Sequence, residues 1–222
     1  MRQATVAARE VRIEAGPATL PGTLHLPEGA GGIVLFAHGS GSSRHSPRNQ
    51  SVARQIQEVG VGTLLFDLLG PEEEEADRID AHIRFDIPFL ARRLLHATAW
   101  VRQQEELRTL RVGLFGSSTG GAAALVAAAE DPDRVDAVVS RGGRPDLAGG
   151  ALPGVRCPVL LIVGGDDTQV LRLNEQARDQ MSTNVELRVI PGATHLFEEP
   201  GKLEEVAEMA AAFFARRLAG PA

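Results

Sequence analysis

Short apolar runs alternate along the chain with longer stretches in which apolar residues recur at helical spacing. The runs at residues 33–37, 62–66, 112–115, 135–139, 159–163 and 185–190 read as buried strands, mostly parallel. Between them, the spacing predicts helices over 47–59, 83–104, 119–130, 169–181 and 203–218. Strand and helix in alternation predict an α/β fold, a mostly parallel sheet covered by helices on both faces. Ligands of such sheets bind at the carboxyl ends of the strands. Ahead of the first run, Val11 and Ile13, then Thr23 and His25 around Pro21-Gly22, alternate as a β-hairpin would. The hairpin is expected over about residues 5–27 at a sheet edge, with the core over about 31–218 and one domain over 1–222. Residues 71–80, with the acidic run Glu72 to Glu75, are expected to be a solvated loop.

A chain of 222 residues that is 43% hydrophobic and 23% charged is large enough for one continuous core. Its net charge of -6 leaves no basic footprint, which argues against nucleic acid or an anionic membrane as partner and for a small molecule. Cys157 is the sole cysteine, so no intrachain disulfide forms. The first ten residues lack the apolar stretch of a signal peptide, and a cytoplasmic location is expected. Residues 112–129 carry no charge, yet the run is not a membrane span. Gly113, Gly116, Gly120 and Gly121, with Ser117, Ser118 and Thr119 among them, make it strand, tight turn and Ala-rich helix.

That turn, Gly116-Ser117-Ser118-Thr119-Gly120, is a G-x-S-x-G pattern between a strand and a helix, the context of a nucleophile elbow. A bare pattern of this kind often arises by chance as an ordinary Gly-rich turn; its placement is what gives it weight. A serine hydroxyl needs a base to take its proton and a carboxylate to orient that base. Asp167, in Val-Gly-Gly-Asp-Asp after the run 159–163, and His195, in Pro-Gly-Ala-Thr-His-Leu-Phe after the run 185–190, supply both in the chain order Ser, Asp, His. Taken singly, an Asp after Gly-Gly is a turn former and a His after a strand a capping or core residue. Asp166 is the rival of Asp167.

Acyl transfer also needs two donors for the oxyanion. The amide of Thr119 follows the nucleophile, and the amide of Ser40 lies in His38-Gly39-Ser40-Gly41-Ser42, a flexible loop after the run 33–37. His38 is expected to hold that loop by hydrogen bonds. The loop is not a nucleotide fingerprint, because Arg44 stands where a third glycine would be required and no G-x-x-x-x-G-K-[ST] occurs. The six His form no H-E-x-x-H pattern and one Cys builds no thiolate site, so no metal or cofactor is expected.

With these residues in place, Gly116 to Gly120, the His38-Gly39 loop, Gly164-Gly165-Asp166-Asp167 and the 192–197 segment resemble the α/β-hydrolase superfamily, in particular its small dienelactone-hydrolase-like members. The resemblance covers about residues 33–218. It implies a sheet of about eight strands, a Ser118-Asp167-His195 triad, and cofactor-free action on a small ester or lactone. Dienelactone hydrolases proper carry cysteine at the elbow, where this chain has Ser118. The segment from Ser140 to Asp146 resembles a stretch in uncharacterised relatives of the group.

Substrate recognition is less defined. Residues 140–158 leave room for only a short helix, so the pocket is expected to be open. Arg141 and Arg144 leave a strand near the site and would either hold a substrate carboxylate or pair with Asp133, Asp136 or Asp146. His45 and Arg48 would line the entrance or merely begin a helix. Phe85, Phe89 and Trp100 are expected in the core and Cys157 as a small buried hydrophobe. Alternatives to an esterase are a ligand receptor on the same fold, or a hydrolase of a peptide, thioester or carbon-carbon bond.

Overall fold

A computed structural model describes residues 8–218. Eight strands form one sheet in the order β1-β2-β4-β3-β5-β6-β7-β8. They are β1 (Arg9–Ala15), β2 (Ala18–His25), β3 (Gly32–Ala37), β4 (Gly62–Phe66), β5 (Arg111–Ser117), β6 (Ala137–Arg141), β7 (Val159–Gly164) and β8 (Val185–Ile190). From β4 through β8 every pairing is parallel, whereas β1 pairs antiparallel with β2 and β2 with β4.

Strand β3 shows why the interior strands read as continuous apolar runs. Ile33, Leu35 and Ala37 face one core while Val34 and Phe36 face the other, and all are buried. Helices α1 (Pro47–Glu58) and α6 (Lys202–Leu218) close one face through Val52, Ile56, Phe213 and Phe214. The other face is covered by α3 (Ile87–Gln103) and α4 (Thr119–Glu130), through Leu90, Leu94 and the alanines of α4. Helix α5 (Thr168–Arg178) follows β7. The short alanine side chains let α4 pack close to the sheet, and a bulky run there would push the helix away.

Four expectations change. The hairpin turns at Gly16-Pro17, where Gly16 takes φ 71° and Ala15 pairs with Ala18, so Pro21-Gly22 lies inside β2; residues 5–7 of the expected hairpin fall outside the described residues. Residues 71–80 form a helix, α2 (Pro71–Asp80). Pro71 opens it, Glu72, Glu73 and Glu74 meet the positive end of its dipole, and Glu73 Oε2 accepts from the Gly70 amide at 2.8 Å. The helix expected over 83–104 breaks at Asp86, whose carboxylate caps α3 by accepting from the Phe89 amide at 2.9 Å; Ile83–Phe85 is a separate 3-10 turn. Phe85 is exposed and not in the core, while Trp100 and Phe89 pack against it. None of the described helices is long and apolar enough to cross a membrane.

Candidate active site

Ser118 stands between β5 and α4 with φ 51° and ψ -120°, a left-handed conformation costly for a residue with a side chain. The turn is tight enough that a Cβ on Gly116 would lie 2.2 Å from the carbonyl oxygen of Gly120, and one on Gly120 would lie 2.2 Å from that of Ala37. Glycine at both positions is therefore a steric requirement. The loop after β6 fastens the turn: the Ser118 amide donates to Arg141 O at 3.3 Å, and the Arg144 amide donates to Ser118 O at 3.1 Å.

His195 lies in the segment after β8. Its Nδ1 is 2.7 Å from Oδ2 of Asp167, the residue that opens α5. The segment is pinned by buried Phe197 and by Glu199, which accepts from the Thr194 amide and hydroxyl at 3.1 and 2.6 Å. Asp166 is exposed, and its amide is used by Ala193 O. Ser118 and His195 line one cavity of about 230 Å³ with Gly39, Ser40, Arg48 and Arg141. Among the described residues no hydrogen bond joins Ser118 to His195.

The Gly39-Ser40 loop touches the elbow, since a Cβ on Gly39 would sit 3.2 Å from that of Ser118. The amides of Ser40 and Thr119 find no acceptor among the described residues. His38 is tied to backbone at both nitrogens, Nδ1 donating to Gly39 O at 3.0 Å and Nε2 accepting from the Leu68 amide at 3.1 Å. Burial lowers its pKa, which keeps the ring neutral and fits this tautomer.

The four basic candidates separate. Arg144 makes a two-pronged pair with Asp146, at 2.8 and 2.7 Å, and does not line the cavity with Ser118. His45 is exposed and lies outside that cavity as well. Arg48 lines it while donating to Glu198 at 3.0 Å. Arg141 is only 7% exposed, and its Nε and Nη1 have no hydrogen-bond partner among the described residues. Burial, then repulsion from Arg48, pushes its pKa down to about 10, so it remains charged at neutral pH. A buried guanidinium without a carboxylate is costly unless something else supplies the anion.

A second cavity, of about 210 Å³, lies on the Thr119 side of the Gly39 loop. Asp67, Leu68, Asp77, Arg84 and Leu90 line it, with α2 and the 3-10 turn as part of its wall. Reading 71–80 as a solvated loop missed Asp77 as a lining residue of this cavity, and the helix expected over 83–104 gave Arg84 no place in it. The signal available was Pro71 followed by acidic residues, a helix start.

The model of the dienelactone hydrolase family matches residues 20–218. The chain belongs to the dienelactone hydrolase family. A dienelactone hydrolase of Anabaena variabilis ATCC 29413 is 56% identical, and its crystal structure superimposes with a TM-score of 0.94 over 96% of this chain and 98% of that one. A Mycobacterium tuberculosis (strain H37Rv) protein provisionally named a phosphoribosyl transferase is 55% identical over 212 residues. The match takes in 96% of this family member but 47% of that protein, so the chain spans about half the length of the curated relative. A Xanthomonas campestris α/β serine hydrolase described as lacking a lid shares the fold at 19% identity, with a TM-score of 0.78.

Proposed function

We propose that the chain is a serine hydrolase that cleaves a small ester or lactone through an acyl-enzyme on Ser118. The 2.7 Å contact of His195 Nδ1 with Asp167, on the rim of the cavity that exposes Ser118, carries this reading. Asp167 holds the imidazole with its proton on Nδ1, leaving Nε2 free to take the Ser118 proton. The serine oxygen attacks the acyl carbon, and the free amides of Ser40 and Thr119 donate to the oxyanion. His195 then gives the proton to the departing alcohol, and water, deprotonated by the same ring, releases the acid. Arg141 would hold an anionic group of the substrate in the His195 cavity, the counter-charge its burial calls for. Phosphoribosyl transfer is named for a protein twice as long, and the Ser118 site supplies no argument for it.

The test is intact mass after exposure to a fluorophosphonate, beside Ser118→Ala. The expected result is one adduct on Ser118, with the variant unlabelled and its ester turnover lowered on the order of 10⁴ to 10⁶-fold. A folded protein that takes no adduct would sink the reading.

A further inference from the structure

The segment Ser140-Arg141-Gly142-Gly143-Arg144 has a feature that substrate binding does not use. Its backbone touches both Ser118 and His195. Arg141 O and the Arg144 amide grip Ser118 on both sides, and the Gly142 amide donates to Ile162 O on β7 at 2.7 Å. A Cβ on Gly142 would meet His195 O at 3.0 Å and His195 Cε1 at 3.7 Å, so the segment also abuts the histidine.

What fixes the segment from behind is Asn174, a fully buried side chain on α5. Its Nδ2 donates to Gly143 O at 3.0 Å and to Val170 O at 2.8 Å. Both partners are carbonyls, which only the NH₂ end of an amide can serve, so the orientation of the amide is dictated by its neighbours. Asn174 Oδ1 is sealed without a partner among the described residues. An apolar side chain of similar volume, such as leucine, would fill the space but leave Gly143 O without the donor that Asn174 supplies, so the half-satisfied amide is retained for that carbonyl. Asp167 opens the helix that carries it.

We propose that Asn174 is a positioning residue, which ties the helix opened by Asp167 to the loop that grips Ser118 and so sets the nucleophile against the Asp167-His195 pair. The chain of contacts runs from Asp167 along α5 to Asn174, across to Gly143 O, and from Arg144 into Ser118 O. Each link is a packed or hydrogen-bonded contact, and each keeps one partner from drifting relative to the next. A displacement of about 1 Å at a nucleophile costs on the order of 10²-fold in rate, so a lost tether is expected to show in reactivity before it shows in folding.

This inference rests on the serine hydrolase reading, and the experiment separates the two. Asn174→Leu removes the donor at similar volume, Asn174→Gln retains an amide, and Ala177→Gly loosens the same helix one turn on. For each, the fluorophosphonate rate constant is measured per labelled site, so that unfolded protein drops out, and exchange of the Arg144 amide is followed. Asn174→Leu is expected to slow labelling about tenfold or more and to speed Arg144 exchange, Asn174→Gln to recover part of both, and Ala177→Gly to lower Tm alone. A native rate per labelled site in Asn174→Leu overturns the proposal. If Asn174→Leu does not fold, Asn174→Gln against Ala177→Gly decides by the same two readouts. A wild-type protein that takes no label defeats the serine reading instead; Arg144 exchange then decides whether the tether exists.

Discussion

Asp167 Oδ2 and His195 Nδ1 meet at 2.7 Å across 28 residues of sequence, while Asp166, one position earlier, is exposed and spends its amide on Ala193 O. The two aspartates should therefore respond differently to the same change. Asp167→Asn is expected to lower kcat/KM on the order of 10⁴-fold, because an amide does not hold the imidazole in the tautomer that leaves Nε2 open. Asp166→Asn should cost less than about tenfold. Steady-state kinetics of both variants on one aryl ester checks this, and equal losses would contradict it.

Arg141 is expected to exchange stability for selectivity. Replacing its buried charge, unpaired among the described residues, by the flexible apolar chain of methionine should raise Tm by about 2–4 °C, equivalent to about 1 kcal/mol in a domain of this size. The same variant should lose the preference for an anionic substrate. Turnover of 4-acetoxybenzoate relative to its methyl ester reads this ratio within each protein; a fall of about tenfold, or 1.4 kcal/mol, is expected. An unchanged ratio would remove Arg141 from substrate recognition.

Acid should loosen the wall of the second cavity. Burial alone would raise the pKa of Asp77, but hydrogen bonds from the Arg84 side chain at 2.5 Å and from the Ile83 and Arg84 amides at 2.8 and 3.1 Å outweigh it and hold the carboxyl below its usual range. A depressed folded-state pKa means that the stabilisation is complete above the ordinary carboxylate pKa, about 4, and is lost as pH falls through the lower folded value. Protection factors across residues 71–85, which divide out the slower intrinsic exchange in acid, should fall at pH 3 relative to pH 6, and Asp77→Asn should lower them at neutral pH. Protection that ignores both changes would show that Asp77 does not anchor this wall.

Cys157 should be inert in the folded protein. Burial pushes its thiol up to about 12, so at pH 8 almost no thiolate is present to react. Iodoacetamide at pH 8 is expected to leave it unmodified until denaturant is added. Mass spectrometry of the native protein reads the outcome directly.

The sequence by itself determined the alternation of strand and helix, the strand-turn-helix around Ser118, and the chain order of Ser118, Asp167 and His195. Apolar periodicity and obligatory glycines are local signals, and each survives whatever packs around it. Even the steric need for Gly116 and Gly120 was legible as pattern, although the carbonyls that impose it belong to Gly120 itself and to Ala37 on a neighbouring strand. The sequence favours Asp167 over its rival Asp166, and tertiary structure supplies the physical reason: the turn after β7 aims the Asp167 side chain at His195 and leaves that of Asp166 in solvent. Tertiary structure alone decided between Arg141 and Arg144, two cations on one short segment: Asp146 takes the second, and the body of the protein closes over the first. Helix α2 and the break at Asp86 depended on caps, which a periodicity reading of 71–104 passes over. Asn174 left no sequence signal, since an asparagine on a helix shows its purpose only when the carbonyl it must reach, 31 residues earlier, is brought beside it by the fold.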